Sequence, residues 1–302
     1  MERVTVGRFK SRLLTYRKQP AKSRNIGARV CGHLCGSRGG VRGGRKRATI
    51  IGGRTVLEAL IFDVDGTLAE TERDGHRPAF NQAFREAGLP FQWDEETYGR
   101  LLKVTGGKER IRRFLAERPD CSALTDADIA RLHRRKTELY TAWVQSGAVR
   151  LRPGVRRLIR EAKALGLKLA IATTTSPDNV DALLARAGLS DAFDVVGAGD
   201  VVPRKKPAPD IYAYVLDRLG VRPDEAIAFE DSENGLIAGV MAGLRVVVTP
   251  SHYTRGEHFD RAWALVTDLG EPDRPGFDVR TGEPVVVDVG WLKQKLTQGM
   301  QN

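Results

Sequence analysis

Hydrophobic and polar positions along the chain fall into three regimes. The first 54 residues show no sustained apolar period. Order begins at Leu60-Ile61-Phe62, a short apolar run that reads as a buried strand and stops at Asp63. Residues 76–88 have helical spacing and stop at Gly88. Residues 93–147 are helix-rich, with apolar positions at Leu101, Leu102 and Val104, at Ile111, Phe114 and Leu115, and at Ile129, Leu132, Leu139, Tyr140 and Val144. From 151 helix and strand alternate. Pro153–Leu165 reads as a helix ended by Gly166, and Lys168–Thr173 as an apolar strand. Ser176 reads as an N-cap with Pro177 at the first position of a helix that ends at Gly188. A strand at 194–197, a helix Pro209–Leu219, a strand Ala226–Phe229, a helix Ser232–Ala242 and a strand Arg245–Val248 complete the series.

Repeated βα units with wholly apolar strands predict an α/β fold: a doubly wound, Rossmann-like parallel sheet, covered on both faces. The helical stretch after the first strand reads as a small inserted cap. The organisation expected is a basic, disordered tail at 1–54, a core at 55–75 and 148–270, a cap at 76–147 and an extension at 271–302. That extension reads as a peripheral strand near Val285–Val287 and a helix near Trp291–Leu296.

Charge separates the tail from the body. Residues 1–54 hold fifteen Lys and Arg and one acid, Glu2, a balance of +14; since the chain totals +11, the other 248 residues carry −3. A nucleic-acid enzyme is thus a poor reading of the body. Three readings of the tail stand: an organellar transit peptide, an arm for nucleic acid or another anionic surface, or translation from a start placed too far upstream. Localisation is expected to be cytoplasmic, or the plastid stroma if the tail is a transit peptide. Cys31, His33 and Cys35 lie close together but lack the fourth ligand of a structural zinc site. The three cysteines, Cys31, Cys35 and Cys121, form no disulfide framework. No apolar run approaches the ~18 residues of a membrane helix. Without a sustained heptad seam, a monomer is expected.

Ligands of open parallel sheets bind beyond the carboxyl ends of the strands, and four such ends carry chemistry. The first reads Asp63-Val64-Asp65-Gly66-Thr67, two carboxylates able to share a site, with a glycine for the turn. The second reads Thr173-Thr174-Thr175-Ser176, hydroxyls and free N–H groups at a helix start. Lys205-Lys206-Pro207 precedes the next helix, and Glu230-Asp231-Ser232-Glu233-Asn234 follows a later strand. Turn and capping chemistry accounts for each alone but not for all four in order. Acids, hydroxyls, a lysine and acids again are what metal-assisted phosphoryl transfer needs, and paired acids suit a hard cation such as Mg²⁺.

In this arrangement the sequence resembles the haloacid dehalogenase superfamily, whose four motifs stand as Asp63-Val-Asp65-Gly-Thr, Thr173, Lys206-Pro207 and Glu230-Asp231. The insert resembles the cap of the β-phosphoglucomutase-like branch. The segments running from Glu70 to Asn81, from Thr105 to Ile111 and from Ala172 to Ser176 are similar to the CbbY proteins, sugar-bisphosphate phosphatases associated with Rubisco. The resemblance implies a Mg²⁺-dependent phosphatase with Asp63 as nucleophile and metal ligand. Asp231 is implied as a second ligand, Asp65 as acid/base and backbone ligand, and Glu230 as support for the metal shell. Thr173 and Lys206 would bind the transferring phosphoryl group. The substrate contacts implied are Glu72, His76, Thr105, Gly106, Gly107, Lys108, Arg110, Thr174, Thr175 and Asn234, with Lys108 on the second phosphate. Xylulose-1,5-bisphosphate, a Rubisco inhibitor, is the substrate implied; phosphoglycolate phosphatase and β-phosphoglucomutase activities are the alternatives. A nucleic-acid tether through the tail would be a minor addition. Tyr253-Thr254-Arg255 reads as a surface loop.

Overall fold

The structure, a computed structural model, describes residues 56–118 and 124–298. The tail, with Cys31, His33 and Cys35, and also Cys121 lie outside the described residues, as do the expectations made of them.

Strands β1 (Ala59–Phe62), β2 (Lys168–Ala172), β3 (Val195–Gly197), β4 (Ala226–Glu230), β5 (Arg245–Val248) and β6 (Ala264–Leu265) form one parallel sheet in the order β3-β2-β1-β4-β5-β6. The continuous apolar runs are explained by burial on both faces. Leu60 and Phe62 of β1, with Ile227 and Phe229 of β4, join one hydrophobic cluster, while Ala59, Ile61, Ala226 and Ala228 join the other. Phe62 stacks on Phe229 with ring centroids 4.5 Å apart.

After β1 the chain makes a π-helical turn, Glu72–His76, and runs into α1 (Arg77–Glu86), α2 (Glu95–Leu102), α3 (Gly107–Ala116) and α4 (Asp126–Ser146). These helices are inserted between β1 and β2 and enclose their own aromatic core, including Phe80, Phe84, Trp93, Tyr98 and Phe114. Thr125 and Asp128 form a capping box at the start of α4, and Gly147 at φ 86° ends it. The chain returns through Leu151, bridged to Ala69, so the two linkers of the insert run side by side. In the sheet domain α5 (Val155–Ala164), α6 (Pro177–Ala187), α7 (Asp210–Leu219) and α8 (Glu233–Met241) cover the faces. Among the described residues no helix is long and apolar enough to cross a membrane.

Three details differ from the sequence pattern. Ser176 occupies the N-cap position of α6, but its hydroxyl caps nothing and is buried without a partner. The two-residue β6 is too short to show a period, yet it extends the sheet beyond β5. The final segment is more than peripheral: after the hairpin of β7 (Gly276–Phe277) and β8 (Pro284–Val285), α9 (Val289–Gln298) buries Val289, Leu292 and Leu296 in the cluster that contains Phe62.

Candidate active site

Strand register assembles the site. Phe62 pairs with both Ile171 and Phe229, so the residues that follow, Asp63, Ala172 and Glu230, lie level at the carboxyl edge of three adjacent strands. The ladder continues one step: the Asp63 N–H donates to Phe229 O at 3.0 Å. Beyond Asp63 the chain turns sharply, with the Gly66 N–H donating to Ala69 O at 2.8 Å. Gly66 has φ 82°, and a Cβ there would run into the Asp231 carboxylate. The Gly66→Ala variant is expected to incur about 1–3 kcal/mol of strain and to lose roughly a hundredfold in kcat, since the displaced atoms are those of the site itself. Thermal unfolding and steady-state kinetics check both; wild-type kcat would remove the steric argument.

Asp63, Glu230 and Asp231 are buried, each with a carboxylate oxygen within 4.8 Å of the others. Lys206 Nζ donates to Asp63 Oδ1 and Glu230 Oε1, both at 2.6 Å, and to Ala172 O at 2.8 Å. Burial pulls the lysine's pKa down, but the two carboxylates outweigh it and hold it above the ordinary range. Burial raises the carboxylates in turn: Glu230 to about 7 and Asp231 well above its usual value, the latter helped by the negative charge of Asp63. The Tyr212 hydroxyl also donates to Glu230 Oε1, while Glu230 Oε2 is buried without a hydrogen-bond partner among the described residues. Room for that carboxylate comes from Gly235, where a Cβ would collide with it. Three buried, oxygen-only ligand groups lie together, only Asp63 and Glu230 of them paired with Lys206, and they leave a Glu230 oxygen without a hydrogen-bond partner among the described residues, which fits a small hard cation such as Mg²⁺.

Asp65 faces the inserted helices. Its Oδ1 accepts from the Thr71 hydroxyl at 2.6 Å and lies 3.0 Å from His76 Nε2, and its Oδ2 accepts from Thr175. Burial raises the Asp65 pKa, against the hydrogen bond from Thr71. His76 Nδ1 is 2.7 Å from Lys136 Nζ, and the imidazole stacks on Tyr140 with centroids 4.0 Å apart. A charged lysine has no acceptor, so Nδ1 accepts and the histidine proton sits on Nε2, donating to Asp65. Burial, with the Lys136 charge, keeps His76 well below its normal pKa and hence neutral.

Lys136 is absent from the residues expected of the site, although a signal exists. It stands on α4 between Leu132, Tyr140 and Val144, a lysine on the apolar stripe of its own helix. Burial lowers its pKa from the ordinary 10.5 to about 8. Folded Lys136 therefore releases its proton near pH 8 and unfolded Lys136 near pH 10.5. The unfolded chain binds more protons across that window, so stability rises with pH there, and below it a cost of roughly 3 kcal/mol is fully present. Denaturant unfolding of wild type against Lys136→Met is expected to show wild type gaining on the variant between about pH 8 and 10. The same substitution is expected to lower kcat about tenfold by freeing the His76 ring. A stability difference flat with pH would contradict the buried charge.

The remaining candidate residues fall around two adjoining cavities. One, of about 100 Å³, is lined by Asp63, Asp65, Thr173, Lys206, Asp231 and Asn234, with Thr105 on the side of the insert. The second, of about 130 Å³, is lined by Gly107, Lys108, His133, Lys136, Thr175 and Lys205 among others. Glu72, Gly106, Arg110 and Thr174 border both. Arg110 is buried and committed to its neighbours, donating to Tyr98 Oη at 2.9 Å and lying 3.7 Å from Glu72. Lys205 reaches Asp200 at 3.2 Å and, on the insert, Glu109 at 3.6 Å; Lys108 approaches Asp200 at 4.0 Å. Lys205–Glu109 and Lys108–Asp200 join insert to core.

Residues 253–255 are not simply a surface loop. Thr254 is buried, and its hydroxyl donates to Asp231 O at 2.7 Å. Tyr253 meets Tyr98 edge-on across the cleft, with centroids 5.6 Å apart. Arg152, also unforeseen, donates to Gly66 O, to Thr249 O at 2.6 Å and to Pro250 O at 3.0 Å, tying the return linker to two catalytic-edge loops. Its neighbours in sequence carry no periodic signal that would have marked it.

A model of the haloacid dehalogenase-like hydrolase family matches residues 57–243. The chain is 52% identical over 219 residues to protein CbbY of Rhodobacter capsulatus, covering 70% of this chain and 94% of the relative. It is 40% identical over 233 residues to a CBBY-like protein of Arabidopsis thaliana, covering 74% and 73% respectively. CbbY from Rhodobacter sphaeroides, solved with phosphate and, as an Asp-to-Asn mutant, with xylulose-(1,5)bisphosphate, superimposes with a TM-score of 0.68 at 50% identity, covering 72% of this chain and 96% of that one. With more than half of its length matched by the family model, and its strand-edge acids and lysine gathered into one buried site, the chain belongs to the haloacid dehalogenase-like hydrolases, as a phosphatase similar to the CbbY proteins.

Proposed function

We propose that this phosphatase removes one phosphoryl group from a sugar bisphosphate, and that the substrate is xylulose-1,5-bisphosphate, giving xylulose 5-phosphate. The observation that carries the bisphosphate is the second cavity, whose lining includes Lys108, Lys136, Lys205 and Arg110 and which shares Asp65 with the first. A monophosphate would need one anion site, and these cations gather beside a second. The complex of Rhodobacter sphaeroides CbbY with xylulose-(1,5)bisphosphate supports the choice of sugar.

In the mechanism proposed, an Asp63 oxygen bonds to phosphorus as the bond from phosphorus to the sugar oxygen breaks. The Asp65 proton passes to that sugar oxygen. In the second half Asp65 accepts a proton from water, whose oxygen bonds to phosphorus as the link to Asp63 breaks and phosphate leaves. Thr71, Thr175 and His76 fix the Asp65 carboxyl for both transfers. Lys206 and Thr173 hold the phosphoryl oxygens. Asp63, Asp231 and the Asp65 carbonyl would hold Mg²⁺, with Glu230 fixing the surrounding shell. Bound there, Mg²⁺ offsets the repulsion between Asp63 and the phosphate dianion. The insert, joined to the core by Lys205–Glu109, keeps bulk water from the phosphoenzyme.

Phosphate release by the full chain with Mg²⁺, compared for xylulose-1,5-bisphosphate, ribulose-1,5-bisphosphate, 2-phosphoglycolate and β-glucose-1-phosphate, tests the reading. A preference of about a hundredfold or more in kcat/KM for the first, roughly 2.7 kcal/mol of differential transition-state binding, is expected. Lys108→Ala is expected to cost about ten- to a hundredfold on the bisphosphate and little on a monophosphate. Equal or better turnover of a monophosphate would sink the bisphosphate assignment and leave the phosphatase chemistry standing.

A further inference from the structure

Away from the catalytic edge, the return linker of the insert forms one wall of a larger cavity of about 720 Å³. Arginines from four separate segments converge on it: Arg150 in the linker, Arg156 on α5, Arg186 on α6 and Arg274 beyond β6. All four are exposed, and among the described residues none has a carboxylate within 4.0 Å. Among the described residues the single acid on the cavity wall, Glu271, is already committed: it accepts from the Gly154 N–H at 2.9 Å and lies 3.4 Å from Arg157. Val149, Leu183 and Ala187 give it a buried apolar floor. Like charges gathered in a concavity raise the local potential and attract anions. This gathering runs against a body that carries −3 overall outside its first 54 residues.

We propose that this cavity binds a small molecule carrying two or more phosphoryl groups, at a site separate from catalysis, and that occupancy alters turnover. Guanidinium forks match phosphate oxygens in pairs, and four of them suit a ligand with several negative charges. The link to turnover is covalent and short. Arg150 lies two residues from Arg152, whose guanidinium holds Gly66 O, Thr249 O and Pro250 O, and whose N–H donates to Leu68 O at 2.8 Å. Leu151, between them, bridges to Ala69 in the outgoing linker. A ligand that grips Arg150 thus pulls on both linkers and on the Asp65–Gly66 turn, which the opening and closing of the insert must also flex. This inference stands on the phosphatase fold and not on the identity of the sugar substrate.

The test is calorimetric titration of the full-length protein with methylenediphosphonate, a non-hydrolysable diphosphate, at fixed free Mg²⁺. Wild type is compared with Arg150→Ala/Arg186→Ala/Arg274→Ala. Removing three guanidiniums is expected to weaken binding at least about tenfold, while kcat/KM on p-nitrophenyl phosphate without added anion stays within about twofold. In wild type the anion is expected to change kcat at saturating substrate by about threefold or more, and in the variant not to. If the triple variant folds poorly, Arg150→Glu/Arg274→Glu, which reverses two exposed charges, serves in its place with the same expectations. Equal affinity in wild type and variant overturns the site. Inhibition that is purely competitive with substrate, and identical in the two proteins, overturns it too, by placing the anion at the catalytic centre.

Discussion

Asp63→Asn is expected to lose at least about 10⁴-fold in kcat while folding, without divalent metal, at least as stably as wild type. The activity loss follows from the role proposed for the oxygen. An amide in place of the carboxylate would keep the shape of the side chain but could not attack phosphorus, and activities of groups that act as a unit collapse when one is removed. The stability expectation comes from the surroundings. Asp63 is buried beside Asp65, Glu230 and Asp231, and both burial and the Asp65 charge raise its pKa. The chief compensation comes from Lys206, through the 2.6 Å contact to Oδ1, with a smaller contribution from the Thr173 side chain. Removing one negative charge relieves repulsion and leaves Lys206 paired with Glu230 at 2.6 Å. Without divalent metal, the variant's melting temperature should equal or exceed that of wild type. With Mg²⁺ the order should reverse, because the variant would lack a proposed ligand and with it the stabilisation that metal binding confers on the native state. Retained activity would remove Asp63 from the chemistry, and a melting temperature well below wild type without metal would refute the electrostatic account.

Lys206→Met acts in the opposite sense. It removes the cation and leaves Asp63 Oδ1, Glu230 Oε1 and Ala172 O without their shared donor. Breaking a buried pair by removing one partner typically costs about 3–5 kcal/mol, because the stranded charge remains in low dielectric. At roughly 2–4 °C per kcal/mol for a body of this size, the metal-free melting temperature should fall by about 6–20 °C. Mg²⁺ should restore part of it by neutralising the same carboxylates. Turnover should fall about 10²–10³-fold even with metal, since a charged contact to the phosphoryl oxygens is lost. The pair of variants makes a sharp comparison: both touch one 2.6 Å contact, yet one spares metal-free stability and the other does not. Equal melting temperatures for the two would mean that the carboxylates carry no net charge in the folded protein.

Local pattern alone specified the frame and its chemistry. Wholly apolar strands separated by helical periods define a parallel sheet covered on both faces, because only burial on both sides tolerates such runs. The acids, hydroxyls and lysine were legible because each lies at or just beyond a strand end, where register fixes its place. The helices within residues 93–147 were legible for the same local reason, and Gly66 because a tight turn needs its φ.

Packing settled which residues from distant segments share a charge or a proton. Thr254 reaches Asp231 from 23 positions away, Lys136 reaches His76 from 60, and Arg152 reaches Gly66 from 86. None of these separations has a period, so nothing local encodes them. Tertiary contacts likewise drew β6 and α9 into the main domain, since a two-residue strand is stabilised by its neighbour β5 and not by its own pattern. Local periodicity fixes what a residue can be within its element. The free energy of burying charged and polar groups together, which depends on every element packed around them, fixes what it does.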